Sequence, residues 1–207
     1  MIETNNEVLV CYHGTQFGKV FGSGGKEILH DVQVSGAKMN FGGEEVSFHS
    51  GFKKEFMSSK DSMHQALSQT NVKEKGVHLS GHSLGAAVSQ IAALDLATHF
   101  GVKVHKVTTF GGPRVFQKKA AELYNSKGLG DVTLRVKQDK DPVTRVVPRG
   151  LYHHTGNKVK LPSPKGGLHS GAVYRKIAES MKDKDVQNAR SSDKPWSFTE
   201  SYTISHL

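Results

Sequence analysis

Val77-His78-Leu79-Ser80-Gly81-His82-Ser83-Leu84-Gly85-Ala86-Ala87-Val88 is the stretch from which the rest of the chain is read. Val77 and Leu79 alternate with their neighbours in a short run that reads as a buried strand. Ala86 to Thr98 (AAVSQIAALDLAT) reads as a helix with Val88, Ile91, Ala92 and Leu96 along one face. The two meet at Gly81-x-Ser83-x-Gly85, a turn so tight that the positions two residues either side of the serine have no room for a side chain. Such a turn exposes Ser83 Oγ at the carboxyl edge of a sheet. It also puts the Leu84 amide at a helix N-terminus, where partial positive charge stabilises an oxyanion. The plainer reading is a small-residue turn of a Rossmann-like domain with Ser83 as a helix N-cap. An apolar strand before the motif and an alanine-rich helix after it favour the first reading.

The 207 residues suffice for one sizeable α/β domain and not for two. No apolar run approaches the ~20 residues needed to cross a bilayer as a helix. Cys11 is the single cysteine, which excludes an internal disulfide. The N-terminus MIETNNEVLVCYHGT has no basic segment followed by an apolar one, so a cytoplasmic location, or delivery by a signal-independent route, is expected. The formal net charge of +9 suits an anionic partner surface. The lysines are scattered and not interleaved with aromatics as a single-strand-binding groove requires, so no nucleic acid is expected. They read first as solvated surface and second as a peripheral contact with an anionic membrane. Neither His78/His82 nor His153/His154 has a ligand spacing with a third donor nearby, so no metal and no cofactor are expected.

Along the chain, Glu7–Tyr12 reads as a buried parallel strand ending at His13-Gly14-Thr15, and Gln16–Gly25 as a glycine-rich, partly apolar surface flap. Ile28–Met39 reads as a short helix or irregular segment, and Glu44–His49 as another strand. Between Gly51 and Thr70, Phe52, Phe56, Met63 and Leu67 recur at helical spacing. Further strands are expected at His105–Phe110, Val132–Val136 and Lys158–Leu161. Helices are expected at Gln117–Lys127, closed by Gly128, and at His169–Met181. Residues 1–181 thus form one domain and 182–207 a polar tail with an aromatic cluster (Trp196, Phe198, Tyr202). Strand-helix alternation on both sides of the turn implies right-handed crossovers and a mostly parallel sheet with helices on both faces, with ligands at the carboxyl ends of the strands.

A serine nucleophile needs a base to take its proton and an acid to orient that base. Downstream of Ser83 the acid candidates are Asp131, Asp139 and Asp141, and the base candidates His153, His154 and His169. Spacing alone leaves these open.

The chain resembles the class 3 (fungal-type) lipases of the α/β-hydrolase fold. The likeness lies in VHLSGHSLGAAVSQIAALDL (77–96), VTTFGGPRV (107–115), RVKQDKDPVTRVVP (135–148), YHHTG (152–156) and VCYHGT (10–15), all in the family's order. The resemblance implies Ser83 as nucleophile, Asp141 before Pro142-Val143 as the acid, with Asp139 as runner-up, and His169 as the base. It implies a structural role for His154 and an oxyanion hole from Thr15 and Leu84. His13 stands where the family usually has arginine, and the chain looks like a version of the fold trimmed at the N-terminus. The implied activity is hydrolysis of lipid carboxylic esters through an acyl-enzyme. Phospholipase A1 or small-ester activity is the alternative, and a catalytically dead binding module the non-enzymatic rival.

Overall fold

The short apolar runs become β1 (Ile2–Glu3), β2 (Val8–Tyr12), β3 (Gly36–Phe41), β4 (Glu44–His49), β5 (Val77–His82), β6 (Val104–Phe110), β7 (Thr133–Gln138) and β8 (Asn157–Leu161). These belong to a computed structural model that describes residues 1–14, 35–162 and 168–180, with backbone only for 177–180. Six strands pair in the order β1-β2-β5-β6-β7-β8, and β3 with β4 forms a separate antiparallel hairpin. Within the large sheet every pairing is parallel except that of the edge strand β1 with β2. Strand β5, which leads into Ser83, is flanked on both sides, and Val77 and Leu79 are fully buried.

Helix α1 (Ser50–Ser68) buries Phe52, Phe56, Met63 and Leu67, the four residues whose spacing predicts it. After the short α2 (Val72–Lys75), helix α3 (Leu84–His99) departs from expectation. It is buried all round from Gly85 to Leu96, not along one face, because it lies between the sheet and α1. Its polar residues are matched internally: Ser89 donates to the Ala86 carbonyl at 3.0 Å, and Gln90 accepts from Thr155 at 3.0 Å. Asp95 ties α3 to α1 through Lys60 (3.1 Å) and His64 (2.7 Å).

Helix α4 (Lys118–Ser126) ends near Gly128, whose φ of 72° is the left-handed conformation that closes a helix, and α5 (Leu129–Val132) follows. Alternation along β7 separates two cores. Thr133 faces Tyr124 of α4 and the main core, whereas Leu134 and Val136 join Val159, Leu161 and Tyr174 on the other face. Tyr174 belongs to α6 (Gly171–Ser180).

The reading of Ile28–Met39 as helical or irregular is corrected from Gly36 onward. Gly36–Met39 is strand, held by pairing with Glu44–His49 across Gly42-Gly43, both at positive φ. The flap at 16–25 and the tail at 182–207 lie outside the described residues.

Candidate active site

Ser83 joins β5 to α3 with φ 58° and ψ −122°, the positive φ that a non-glycine residue holds only where its surroundings impose it. A Cβ at Gly81 would stand 2.2 Å from the Gly85 carbonyl oxygen, and one at Gly85 2.3 Å from that of Tyr12. Glycine at both positions is therefore a packing requirement of the turn. Leu84 is the first residue of α3, so its N–H has no acceptor within the helix. Thr15, assigned to the oxyanion hole with Leu84, lies outside the described residues. Gly14 before it runs against the turn, where a Cβ would stand 3.3 Å from that of Ser83.

His169 and Asp141 meet the serine at this edge. The Ser83 hydroxyl is 2.7 Å from His169 Nε2, and His169 Nδ1 lies 2.8 Å and 3.0 Å from the two Asp141 carboxylate oxygens. That geometry has Nδ1–H donating to the carboxylate and Nε2 free to take the serine proton. Asp141 is fully buried and accepts two further bonds, from the Val143 amide (2.9 Å) and the Tyr174 hydroxyl (2.6 Å). Tyr174 in turn accepts from the Gln138 amide at 2.9 Å. Burial, and then the bond to Asp141, push the Tyr174 phenol well above its ordinary range, so it remains a donor.

The rival candidates sit elsewhere. Asp139 is exposed and paired with Lys160 at 2.7 Å. Asp131 belongs to α5, at the start of β7 and away from its carboxyl end. The His153 amide donates to the Phe116 carbonyl at 2.7 Å. His154 Nε2 donates to the Thr144 carbonyl at 3.1 Å, bracing the segment after Asp141. Burial, and then the Arg135 charge, bring the His154 ring down to about 3, so it is neutral at ordinary pH.

Three neighbours of the site were given no part in it from sequence. Tyr174 is one. His82, inside the elbow motif, stacks on His169 with centroids 4.8 Å apart and rings inclined by 29°. Burial, and then His169, lower its ring to about 4, so His82 is neutral beside His169 at ordinary pH. Gly111, at φ 59°, is the third: a Cβ there would lie 2.8 Å from Asp141 Oδ2 and 3.1 Å from the His169 ring. The glycine pair after a strand signals a close approach, but not what it approaches. No group of three or more His, Cys, Asp or Glu that could hold a metal ion occurs among the described residues.

A parallel sheet with a serine on a strained strand-to-helix turn is the α/β-hydrolase fold, and solved fungal lipases share it. Lipase II from Rhizopus niveus superposes with a TM-score of 0.56 at 22% identity, over 70% of this chain and 54% of that one. The chain belongs to the family described as Lipase (class 3), whose profile matches residues 11–151. A secreted mono- and diacylglycerol lipase of Malassezia restricta is 29% identical over 124 residues, 58% of this chain and 41% of that protein. A chloroplastic phospholipase A(1) of Arabidopsis thaliana is 30% identical over 105 residues, 50% of this chain and 22% of that one. The chain thus spans about half the length, or less, of the proteins it matches.

The expected cytoplasmic or signal-independent location is corrected here. The related lipases of Malassezia restricta and Malassezia globosa are named as secreted. Address segments are separable from the folded domain, so the domain's composition and its single cysteine do not encode its compartment.

Proposed function

We propose that this chain hydrolyses carboxylic esters of lipids through an acyl-enzyme on Ser83. The observation that carries the proposal is the unbroken hydrogen-bonded line from Asp141 through His169 to Ser83 at the elbow. Ser83 Oγ attacks the ester carbonyl while its proton passes to His169 Nε2, and Asp141 stabilises the resulting imidazolium. The carbonyl oxygen, now negative, lies at the N-terminus of α3 with the Leu84 amide as donor, and Thr15 supplies the second donor in this assignment. Collapse of the tetrahedral adduct breaks the ester bond, and His169 returns the proton to the departing alcohol. Water then repeats the sequence on the acyl-enzyme, releasing the acid and restoring the serine.

Acylglycerols are the first substrate class, supported by the names of the Malassezia relatives, and phospholipids cleaved at the A1 position are the second, supported by that of the plant relative. The secreted relatives also support an extracellular setting. The net charge of +9 supports adsorption to anionic interfaces, weakening with salt.

Labelling with a fluorophosphonate tests the assignment. The protein is expected to label, and Ser83→Ala to lose both labelling and hydrolysis, by on the order of 10⁴-fold or more in rate, with its circular dichroism unchanged. Labelling retained in that variant would overturn the nucleophile. A panel of mono-, di- and triacylglycerol, phospholipid and short nitrophenyl esters then ranks the substrate classes.

A further inference from the structure

On the sheet face that α4 covers, β7 and β8 set positive charges directly opposite one another. Arg135 pairs in register with Lys158, and Lys137 with Lys160. Like charges at facing positions repel, and an edge strand needs only its outer lysines to discourage aggregation. Lys160 has a partner in Asp139. Arg135, Lys137 and Lys158 form no ion pair or side-chain hydrogen bond among the described residues. Arg135 Nε is buried and has no hydrogen-bond partner among the described residues.

Arg114 joins them from the loop after β6. One arm of its guanidinium donates to the Val147 and Arg145 carbonyls, which fixes the side chain, and no carboxylate pairs with it among the described residues. Arg114, Arg135, Lys137 and Lys158 are all half-buried, so water screens their mutual repulsion less than it would on an open surface. Burial, and then Arg114, bring Arg135 down to about 10, which leaves it charged at neutral pH. Arg145 and Arg149 add further positive charge beside Arg114.

The Arg135 guanidinium has a buried nitrogen without a partner among the described residues, and Asp139, whose charge reaches Lys137, is already paired with Lys160, so this half-buried group of cations suits a compact multivalent anion. Phosphoryl oxygens match the guanidinium fork and accept from lysine as well. We propose that Arg114, Arg135, Lys137 and Lys158 form a binding site for a phosphoryl group, separate from Ser83 and independent of the hydrolase reading.

Potassium phosphate titrated at constant ionic strength, followed by calorimetry and by Tm, tests this. The expected result is saturable binding and a rise in Tm that potassium chloride does not reproduce. Arg135→Gln, which loses one charge-assisted contact, and separately the double variant Lys137→Gln/Lys158→Gln, which loses two, should each weaken phosphate binding by about tenfold or more. The double variant keeps the test decisive should Arg135→Gln fold poorly. Lys53→Gln/Lys54→Gln, on α1, should bind as the parent does. Vesicles distinguish the source of the group. Binding to phosphatidic acid over phosphatidylcholine, competed by phosphate and lost in the double variant, identifies a lipid headgroup. Phosphate binding without such vesicle binding identifies a soluble phosphate. Absence of saturable phosphate binding, or an equal response in all variants, would overturn the site.

Discussion

Asp95 and Asp141 are both fully buried carboxylates with imidazole partners, yet they sit in opposite kinds of surroundings. Asp95 lies between two helices and takes His64 at 2.7 Å, His99 at 2.9 Å and Lys60 at 3.1 Å. The lysine neutralises it locally, and the His64 ring packs against Phe100 with centroids 4.2 Å apart. Asp141 lies at the carboxyl edge of the sheet, held by one imidazole, one amide and one phenol, and the far nitrogen of its histidine meets a serine. The same residue pair is thus a brace in one place and a candidate proton relay in the other. What separates them is the group on the far side of the ring.

The sharpest break of this comparison is Asp141→Asn. Asparagine keeps the volume, favours the wrong imidazole tautomer and cannot stabilise the imidazolium, so kcat/KM on a nitrophenyl ester should fall on the order of 10³- to 10⁴-fold. Asp95→Asn should leave kcat per folded molecule nearly unchanged, and a similar fall in both variants would erase the distinction. The converse experiment concerns stability. Asp95→Ala strands three bases at the junction of α1 and α3 and should cost about 2–4 kcal/mol in urea unfolding, with the remaining folded enzyme active.

Tyr174→Phe asks how far the support of Asp141 matters. Removing one hydrogen bond to a buried carboxylate should lower kcat by about tenfold with KM little changed, as expected of a residue that holds the acid and does not touch substrate. A KM effect alone would place Tyr174 in substrate binding.

The smallest expected effect is a pH slope. His82 and His154 have folded values of about 4 and about 3, below the ordinary 6.5, so the unfolded chain takes up their protons first. Stability should therefore fall as pH drops from about 6.5 towards 4, while above 6.5 neither ring is charged in either state and the contribution vanishes. His154→Gln should flatten this slope by at most ~1.4 kcal/mol per pH unit, less for the solvent left around the ring. Urea midpoints at pH 7, 5.5 and 4.5 in both proteins measure it, and identical slopes would remove His154 as the cause.

Much of the architecture is legible without coordinates, because the cues are local. Alternating apolar runs, glycine at positive φ and the four-residue spacing of Phe52, Phe56, Met63 and Leu67 are properties of short segments. Reading stops where burial depends on what lies on both sides. Helix α3 has no polar face to lose, so its local pattern does not reveal that α1 covers its outer side. The strand at Gly36–Phe41 is strand because Glu44–His49 pairs with it, not because its own sequence demands it.

The turn at Ser83 is legible in sequence alone, since glycines two positions either side of a serine between strand and helix are what so tight a turn requires, a Cβ at either meeting backbone at 2.2–2.3 Å. Which aspartate and which histidine meet that serine is a matter of tertiary structure. The contacts join positions 86 and 28 residues apart, and neither composition nor periodicity carries information across such distances. The sheet order brings the ends of β5 and β7 and the start of α6 to one edge, and the turn after β7 then buries Asp141 against His169 while Asp139, two residues away, faces solvent beside Lys160.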